Sequence, residues 1–365
     1  MTVGLARFGY TPLLPIMRDE AGLSYLAGGW LATFNYMGYM SGALLAASIH
    51  RLSIKYQLYR IGLVVAVLST AAMATTTNVI AWSILRFIAG MTAVCGMLIA
   101  SGLIMNWLIR ARQRPLLGIH FTGLGLGIVV SGVAVGVMAD RLTWDQQWLG
   151  LGALGVLFLV PAWAWMPPPA DVAHESQDAA PIIPSRRWMH LLIAAYFCAG
   201  FGYVVSATFI VAIVEALPTL SGMGSWVWVM VGLAAAPSTF LWDRIAHRVG
   251  QIPALLLAYG LQIISFVLPL ISTAFWPNVV SALLYGNTFV GIVSLTLSLV
   301  GRYFPNNPAK AMARLTLSYG FAQMLAPAIA GYIAEATGSY IGALGIAAVI
   351  MGMGMLLLMK LKSWA

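Results

Sequence analysis

The sequence predicts an all-α integral membrane protein: twelve transmembrane helices arranged as two six-helix bundles. Three observations carry this expectation. The 365 residues are 61% hydrophobic and 8% charged, with a mean hydropathy of +0.90, a balance far from that of a soluble domain. Fifteen of the 19 Lys and Arg residues fall in or beside every second gap between long apolar stretches or at the C-terminal end. A single long polar stretch, 167–187, then divides the apolar stretches six and six.

The apolar stretches run roughly over 1–17, 23–49, 58–76, 79–109, 115–139, 147–166, 188–216, 225–242, 252–272, 276–301, 309–334 and 339–359. Each is expected to be a helix, because an isolated strand in lipid leaves its backbone unpaired. The first is shorter than the roughly 20 residues needed to cross a core of about 30 Å, and it already contains Arg7. It is therefore expected to be truncated, with its natural start upstream. It has no basic leader and small-residue cleavage site, so it does not read as a cleavable signal.

The gaps set the orientation. Arg51, Lys55 and Arg60 lie in or beside the second gap, Arg110, Arg112 and Arg114 the fourth, Arg186 and Arg187 the sixth, Arg244 and Arg248 the eighth, and Arg302, Lys310 and Arg314 the tenth. Lys360 and Lys362 close the chain. The odd-numbered gaps are acidic or neutral apart from Arg18 and Arg141. Bases remain in the cytoplasm while short neutral loops cross, so the even-numbered gaps and the C-terminus are expected to be cytoplasmic, in a multi-pass protein of a bacterial inner membrane. The net charge of +9 then sums loop bases that face anionic headgroups of the lipid bilayer, and implies no nucleic-acid partner.

The two halves resemble each other. Ala6-Arg7-Phe8-Gly9-Tyr10 is echoed by Ala199-Gly200-Phe201-Gly202-Tyr203, 193 residues on. His50-Arg51 aligns with Asp243-Arg244 at the same offset, Ala139-Asp140 with Ala334-Glu335 nearly so, and Gly152-Ala153-Leu154-Gly155 recurs as Gly342-Ala343-Leu344-Gly345. Four matches in order indicate an internal repeat. Repeats of six helices point the same way through the membrane, as in a secondary transporter of two bundles. The expected units are 1–166, a cytoplasmic linker 167–187, and 188–365.

Several features are excluded from function. Cys95 and Cys198 sit in apolar spans and read as small buried thiols, not as a disulfide or metal site. Gly150-x-Gly152-x-x-Gly155 matches a dinucleotide fingerprint, but lies in a span with no strand before it. No Walker loop occurs, and no cofactor or metal is expected. Gly38/Gly42, Gly123/Gly127 and Gly132/Gly136 have the spacing of close helix contacts, and Pro327 suggests a kink in the eleventh span.

Three signatures make the chain resemble the major facilitator superfamily over essentially its whole length. After the glycine-bearing eighth span, Asp243-Arg244-Ile245-Ala246-His247-Arg248 is similar to that family's cytoplasmic Asp-Arg loop. Leu85-Arg86-Phe87-Ile88-Ala89-Gly90 resembles its fourth-helix pattern, and Gly4-Leu5-Ala6-Arg7-Phe8-Gly9-Tyr10-Thr11-Pro12-Leu13-Leu14-Pro15 resembles the head of the bacterial YbfB/YjiJ-like branch. The resemblance implies a major-facilitator-type fold, a cavity lined by spans one, four, seven and ten, and a gate formed by Asp243, Arg244, Arg248 and Arg51. The first half departs from the family pattern, with His50-Arg51 where the family usually has Asp-Arg. The fifth span lacks the Pro of the family's antiporter helix.

Arg7 and Arg86 are the only bases well inside spans, while all ten carboxylates lie at span ends, in loops or in the linker. Arg7 is ten residues from Met17 and Arg86 eight from Asn78, roughly 15 Å and 12 Å at helical rise, so both reach similar depths. A charge there normally faces a partner or a wet cavity. With no acid at that depth, the cavity is expected to be electropositive and to invite a carboxylate or phosphate. Arg86 has an alternative use, hydrogen-bonding helix-end carbonyls or snorkelling outward. Further substrate candidates are Tyr10, Thr11, Tyr203, Ser206, Tyr285 and Asn287, with Asn35 and Gln323 secondary. Each could instead serve a helix-to-helix hydrogen bond. His120 is the candidate for proton coupling, or a shallow interfacial histidine.

The sequence therefore reads as a secondary transporter, not an enzyme. It would move a small organic solute, anionic or zwitterionic, by alternating access. The expected partners are the solute, a coupling proton or ion and the bilayer, and the protein is expected to be a monomer. A drug-type exporter and a non-transporting solute sensor are the alternatives.

Overall fold

The computed structural model describes residues 1–111, 118–170, 185–303 and 308–363, and among them it forms fifteen α-helices and no strand. In the first half these are α1 (Thr2–Phe8), α2 (Tyr10–Ala21), α3 (Tyr25–Ser48), α4 (Leu52–Ala72), α5 (Val79–Val94), α6 (Ala100–Arg110), α7 (Gly118–Met138) and α8 (Trp144–Trp165). The second half contains α9 (Arg186–Glu215), α10 (Gly224–Ala235), α11 (Ser238–Val249), α12 (Gln251–Ile271), α13 (Phe275–Tyr303), α14 (Pro308–Thr337) and α15 (Ile341–Lys362). Twelve helical segments thus follow the twelve predicted spans, three of them interrupted. Arg112 and Arg114 and most of the predicted linker, 171–184, lie outside the described residues.

Each interruption has a local cause. The first span breaks at Gly9, one turn before Pro12, whose missing N–H and ring disrupt the preceding turn. Gly9 also lets α8 approach, since a Cβ there would lie 2.7 Å from Leu151 Cδ1. The fourth span passes through a π-type turn, Cys95–Ile99. The eighth bends by 45° between α10 and α11, where Pro237 cannot donate a backbone hydrogen bond.

One expectation is corrected here. Asp243, Arg244 and Arg248 do not form a loop; they lie on α11, which continues to Gly250. The chain offers no breaker between Ser238 and Val249, and Gly250 ends the helix at φ +93°.

By length and composition, seven helices are long and apolar enough to cross a membrane, and the bent pair makes an eighth. The remaining segments are α1–α2, α3, α7 and α14. They lie where helices meet helices, since α3 packs on α14 and α7 on α10, joining the two halves, while α2 packs on α9; α7 is itself strongly apolar and is set apart by its length. Helices that face other helices carry glycine, tyrosine and hydroxyl residues where lipid-facing ones carry leucine.

Both seams close on glycine. A Cβ at Gly29 would lie 2.4 Å from the Pro327 carbonyl and 2.9 Å from Gly331 Cα, and one at Gly125 would lie 2.6 Å from the Ala236 nitrogen and 2.9 Å from the Gly232 carbonyl. Of the predicted close-contact pairs, Gly38 and Gly42 meet the carbonyls of Phe87 and Met91, and Gly132 meets that of Ser225. Gly123 faces open space.

Hydrogen bonds join the halves at two levels. At the end of the odd-numbered gaps, Tyr25 donates to the Gly338 carbonyl (2.6 Å), Leu26 N–H to Glu335 Oε2 (3.0 Å) and Tyr340 to the Tyr25 carbonyl (3.0 Å). Further in, Thr33 donates to Met324 (3.0 Å), Thr11 to Ala207 (2.6 Å) and Trp228 to Ser131 (3.2 Å). Arg18 lies 3.2 Å over the Tyr25 ring at the same end.

Candidate solute site

The first span positions the two buried bases differently. Arg86, 2% exposed, donates to the carbonyls of Ala6 (3.1 Å) and Arg7 (3.4 Å) and stacks 4.5 Å over the Tyr10 ring. The break at Gly9 exposes these carbonyls, and Arg86 supplies the donors they need. Asn35 in turn donates to the Arg86 carbonyl at 2.9 Å, and Gly38 and Gly90 let α3 and α5 touch. Both terminal nitrogens of Arg86 are therefore committed to the protein, although its buried Nε, like that of Arg7, has no partner.

Arg7 is not committed in this way. It is 8% exposed, and its guanidinium lies over the rings of Tyr39 (4.4 Å), Tyr36 (5.3 Å) and Phe8 (5.3 Å). Its buried Nε has no hydrogen-bond partner. Among the described residues no carboxylate lies within ion-pair distance. Tyr203 and Tyr319 of the second half are within electrostatic reach, and Tyr36 and Tyr203 interact through their side chains across the seam.

The second half presents stacked rings to this point. Tyr196 and Tyr319 lie 4.5 Å apart, Tyr319 and Tyr203 5.8 Å, Tyr203 and Phe289 5.2 Å, and Phe289 and Tyr285 5.2 Å. All five are at least nine-tenths buried.

Other predicted residues are spent elsewhere or lie apart. Tyr10 donates to the Gly28 carbonyl (2.8 Å), Thr11 to Ala207 and Tyr285 to the Tyr203 carbonyl (2.8 Å). Ser206 lines a small separate pocket with Ser265, Ser281 and Pro269. Asn287 accepts from Trp242 (2.8 Å) and from Ser238 through its backbone carbonyl, and Gln323 is buried. His120 lies against the backbone of Gly96 and Met97. It lines a cavity of about 290 Å³ that also touches Arg7, Tyr59, Met97 and Phe158. That cavity lies within the first half, and its wall includes Met1 and Thr2.

At the basic end, Asp243 pairs with His247 at 3.5 Å, both more than half exposed. Arg51 precedes α4 as its N-cap without a side-chain cap bond. Sequence reasoning missed Tyr36, Tyr39, Tyr196, Tyr319 and Phe289. The available signal was spacing: Tyr36 and Tyr39 share a face of α3, as Tyr196 and Tyr203 do on α9.

The arrangement is a buried cation with an unused donor, shared by two helical halves. Over residues 1–359 the sequence matches the family described as the uncharacterised MFS-type transporter YbfB. The chain belongs to the YbfB family of major-facilitator-type transporters. Solved structures agree on the fold of this YbfB-family chain. A point-mutant form of the nucleoside transporter NupG superposes with a TM-score of 0.80 at 14% identity, covering 99% of this chain and 98% of that one. A bacterial homologue of the human lysosomal transporter Spinster, in an inward-facing and occupied conformation, gives 0.70 at 14% identity, covering 100% and 94%. No curated protein matches the sequence significantly. The all-α, multi-pass membrane architecture of a major-facilitator-type transporter is thereby established.

Proposed function

We propose that this YbfB-family chain is a secondary active transporter of a small anionic or zwitterionic organic solute. It works by alternating access between halves 1–166 and 188–365, joined by the linker 167–187. The carrying observation is Arg7, buried where both halves meet, with its Nε–H unused and no carboxylate beside it. A charge at that depth costs about 2.5–3.5 kcal/mol. Ring faces offset up to about 2 kcal/mol when desolvated, but they supply no lone pairs to the guanidinium N–H groups. A solute carboxylate supplies both charge and acceptors, in the fork geometry a guanidinium prefers.

The hydrogen bonds between the halves support a state closed at the end of the odd-numbered gaps. With the even-numbered gaps and C-terminus cytoplasmic in a bacterial inner membrane, that state is inward-facing. Asp243, Arg244, Arg248 and Arg51 at the opposite end are then the residues available to close the inner mouth. An ion or solute gradient drives the cycle, with His120 the candidate for proton coupling.

The test is a thermal-shift screen of the purified protein against carboxylates, phosphorylated metabolites and lipophilic cations. A ligand at about 100 times its dissociation constant adds about 2.7 kcal/mol of stability. A carboxylate shift that disappears in Arg7→Ala supports the reading. A cation shift indifferent to Arg7 replaces it with a drug-type exporter.

A further inference from the structure

We propose that the solute is a monoanion whose carboxylate is carried on a flat aromatic or heteroaromatic ring, with Arg7 binding the charge and the tyrosine stack of the second half binding the ring. This rests on the anion reading above and narrows it.

The site is bipartite, and the internal repeat shows how. The position 193 residues after Arg7 is Gly200. There, a Cβ would lie 2.7 Å from the Tyr319 carbonyl, so the second half trades a cation for close approach of the α14 backbone. One half thus contributes the charge, while the other contributes ring faces from three spans: Tyr196 and Tyr203 on α9, Tyr285 and Phe289 on α13, and Tyr319 on α14. A planar ring entering as the halves part replaces ring-to-ring faces with equivalent ones, and its edge substituent reaches a guanidinium already seated on Tyr39.

What the site withholds is equally informative. Three of the hydroxyls predicted to meet a solute are spent on backbone carbonyls: Tyr10 on Gly28, Thr11 on Ala207, Tyr285 on Tyr203. A sugar acid would find fewer partners there for its many hydroxyls than a flat ring finds faces. Among the described residues no carboxylate is present to receive the ammonium of a zwitterion. Of the two buried guanidiniums only that of Arg7 has terminal donors not given to backbone carbonyls, and beside flat ring faces it selects a ring carrying a single carboxylate.

The test uses four probes on the purified chain in detergent, read by calorimetric titration: benzoate, cyclohexanecarboxylate, gluconate and tetraphenylphosphonium. Benzoate and cyclohexanecarboxylate share charge and carbon count, and differ in having a flat π-face. Benzoate is expected to bind roughly three- to tenfold tighter than cyclohexanecarboxylate, and gluconate weaker than both. Tyr203→Leu should erase the difference between the two carboxylates, Tyr203→Phe should retain it, and Arg7→Gln should abolish binding of both. Unliganded melting temperatures check that each variant is folded. Equal binding of the two carboxylates, both lost in Arg7→Gln, overturns the aromatic inference and leaves the anion reading intact. Binding of tetraphenylphosphonium with no carboxylate bound overturns both, and failure of benzoate to bind overturns the inference by itself.

Discussion

Glu335, near the end of α14, accepts the backbone N–H of Leu26 at the start of α3, with an oxygen-to-nitrogen distance of 3.0 Å. The bond places a carboxylate against the N-terminus of a helix in the other half, where unpaired amides and the helix dipole favour a negative charge. Tyr25 and Tyr340 bond the same corner, so the halves are latched at this end.

Removing the latch charge should loosen that end. Because Glu335 is exposed, the gain is moderate, about 0.5–1 kcal/mol. Glu335→Gln should raise the labelling rate of a cysteine introduced at Thr33 about two- to fivefold. An unchanged rate would show that the tyrosines hold the corner alone.

The glycine seam predicts a conformational block. In Gly29→Val the new side chain would collide with the Pro327 carbonyl and Gly331, both backbone and unable to step aside. The variant should insert and fold yet lose transport, with the end of the odd-numbered gaps held open. Cross-linking between cysteines at Leu26 and Glu335 should fall sharply relative to a protein with Gly29 intact.

Arg86 and Arg7 should separate by phenotype. Arg86→Ala leaves the Ala6 and Arg7 carbonyls without their donors in a buried setting, at about 1–3 kcal/mol for each lost partner, and should lower the melting temperature by several degrees. Arg7→Ala should change unliganded stability less and carboxylate binding far more. Melting curves with and without ligand measure both.

Asp243→Asn tests the inner gate. The exposed pair with His247, one turn along α11, is worth at most about 0.5 kcal/mol, so stability should hardly move. A large fall in transport at unchanged melting temperature would assign Asp243 a contact made only when the inner mouth closes. Wild-type transport would remove it from the gate.

The membrane class, the twelve helical segments and the division into halves were legible because they rest on local quantities: apolar length and loop charge. That Arg7 is a base well inside an apolar stretch was equally legible, since it follows from counting residues along the chain, and the residue is buried. The same count treated Arg86 alike and could not separate the two. Only the packed structure did so, because the break at Gly9 frees carbonyls to which Arg86 donates. Hydropathy likewise rated α9 a strong span, although 94% of its apolar window is buried within the protein. Apolarity is the same whether a helix faces lipid or other helices. The ring shell around Arg7 draws on α1, α3, α9 and α14, whose neighbourhood is set by glycine contacts between distant segments. The chain alone determined that a cation is buried and unpaired by acid; tertiary packing decided which one remains free, and surrounded it with tyrosines.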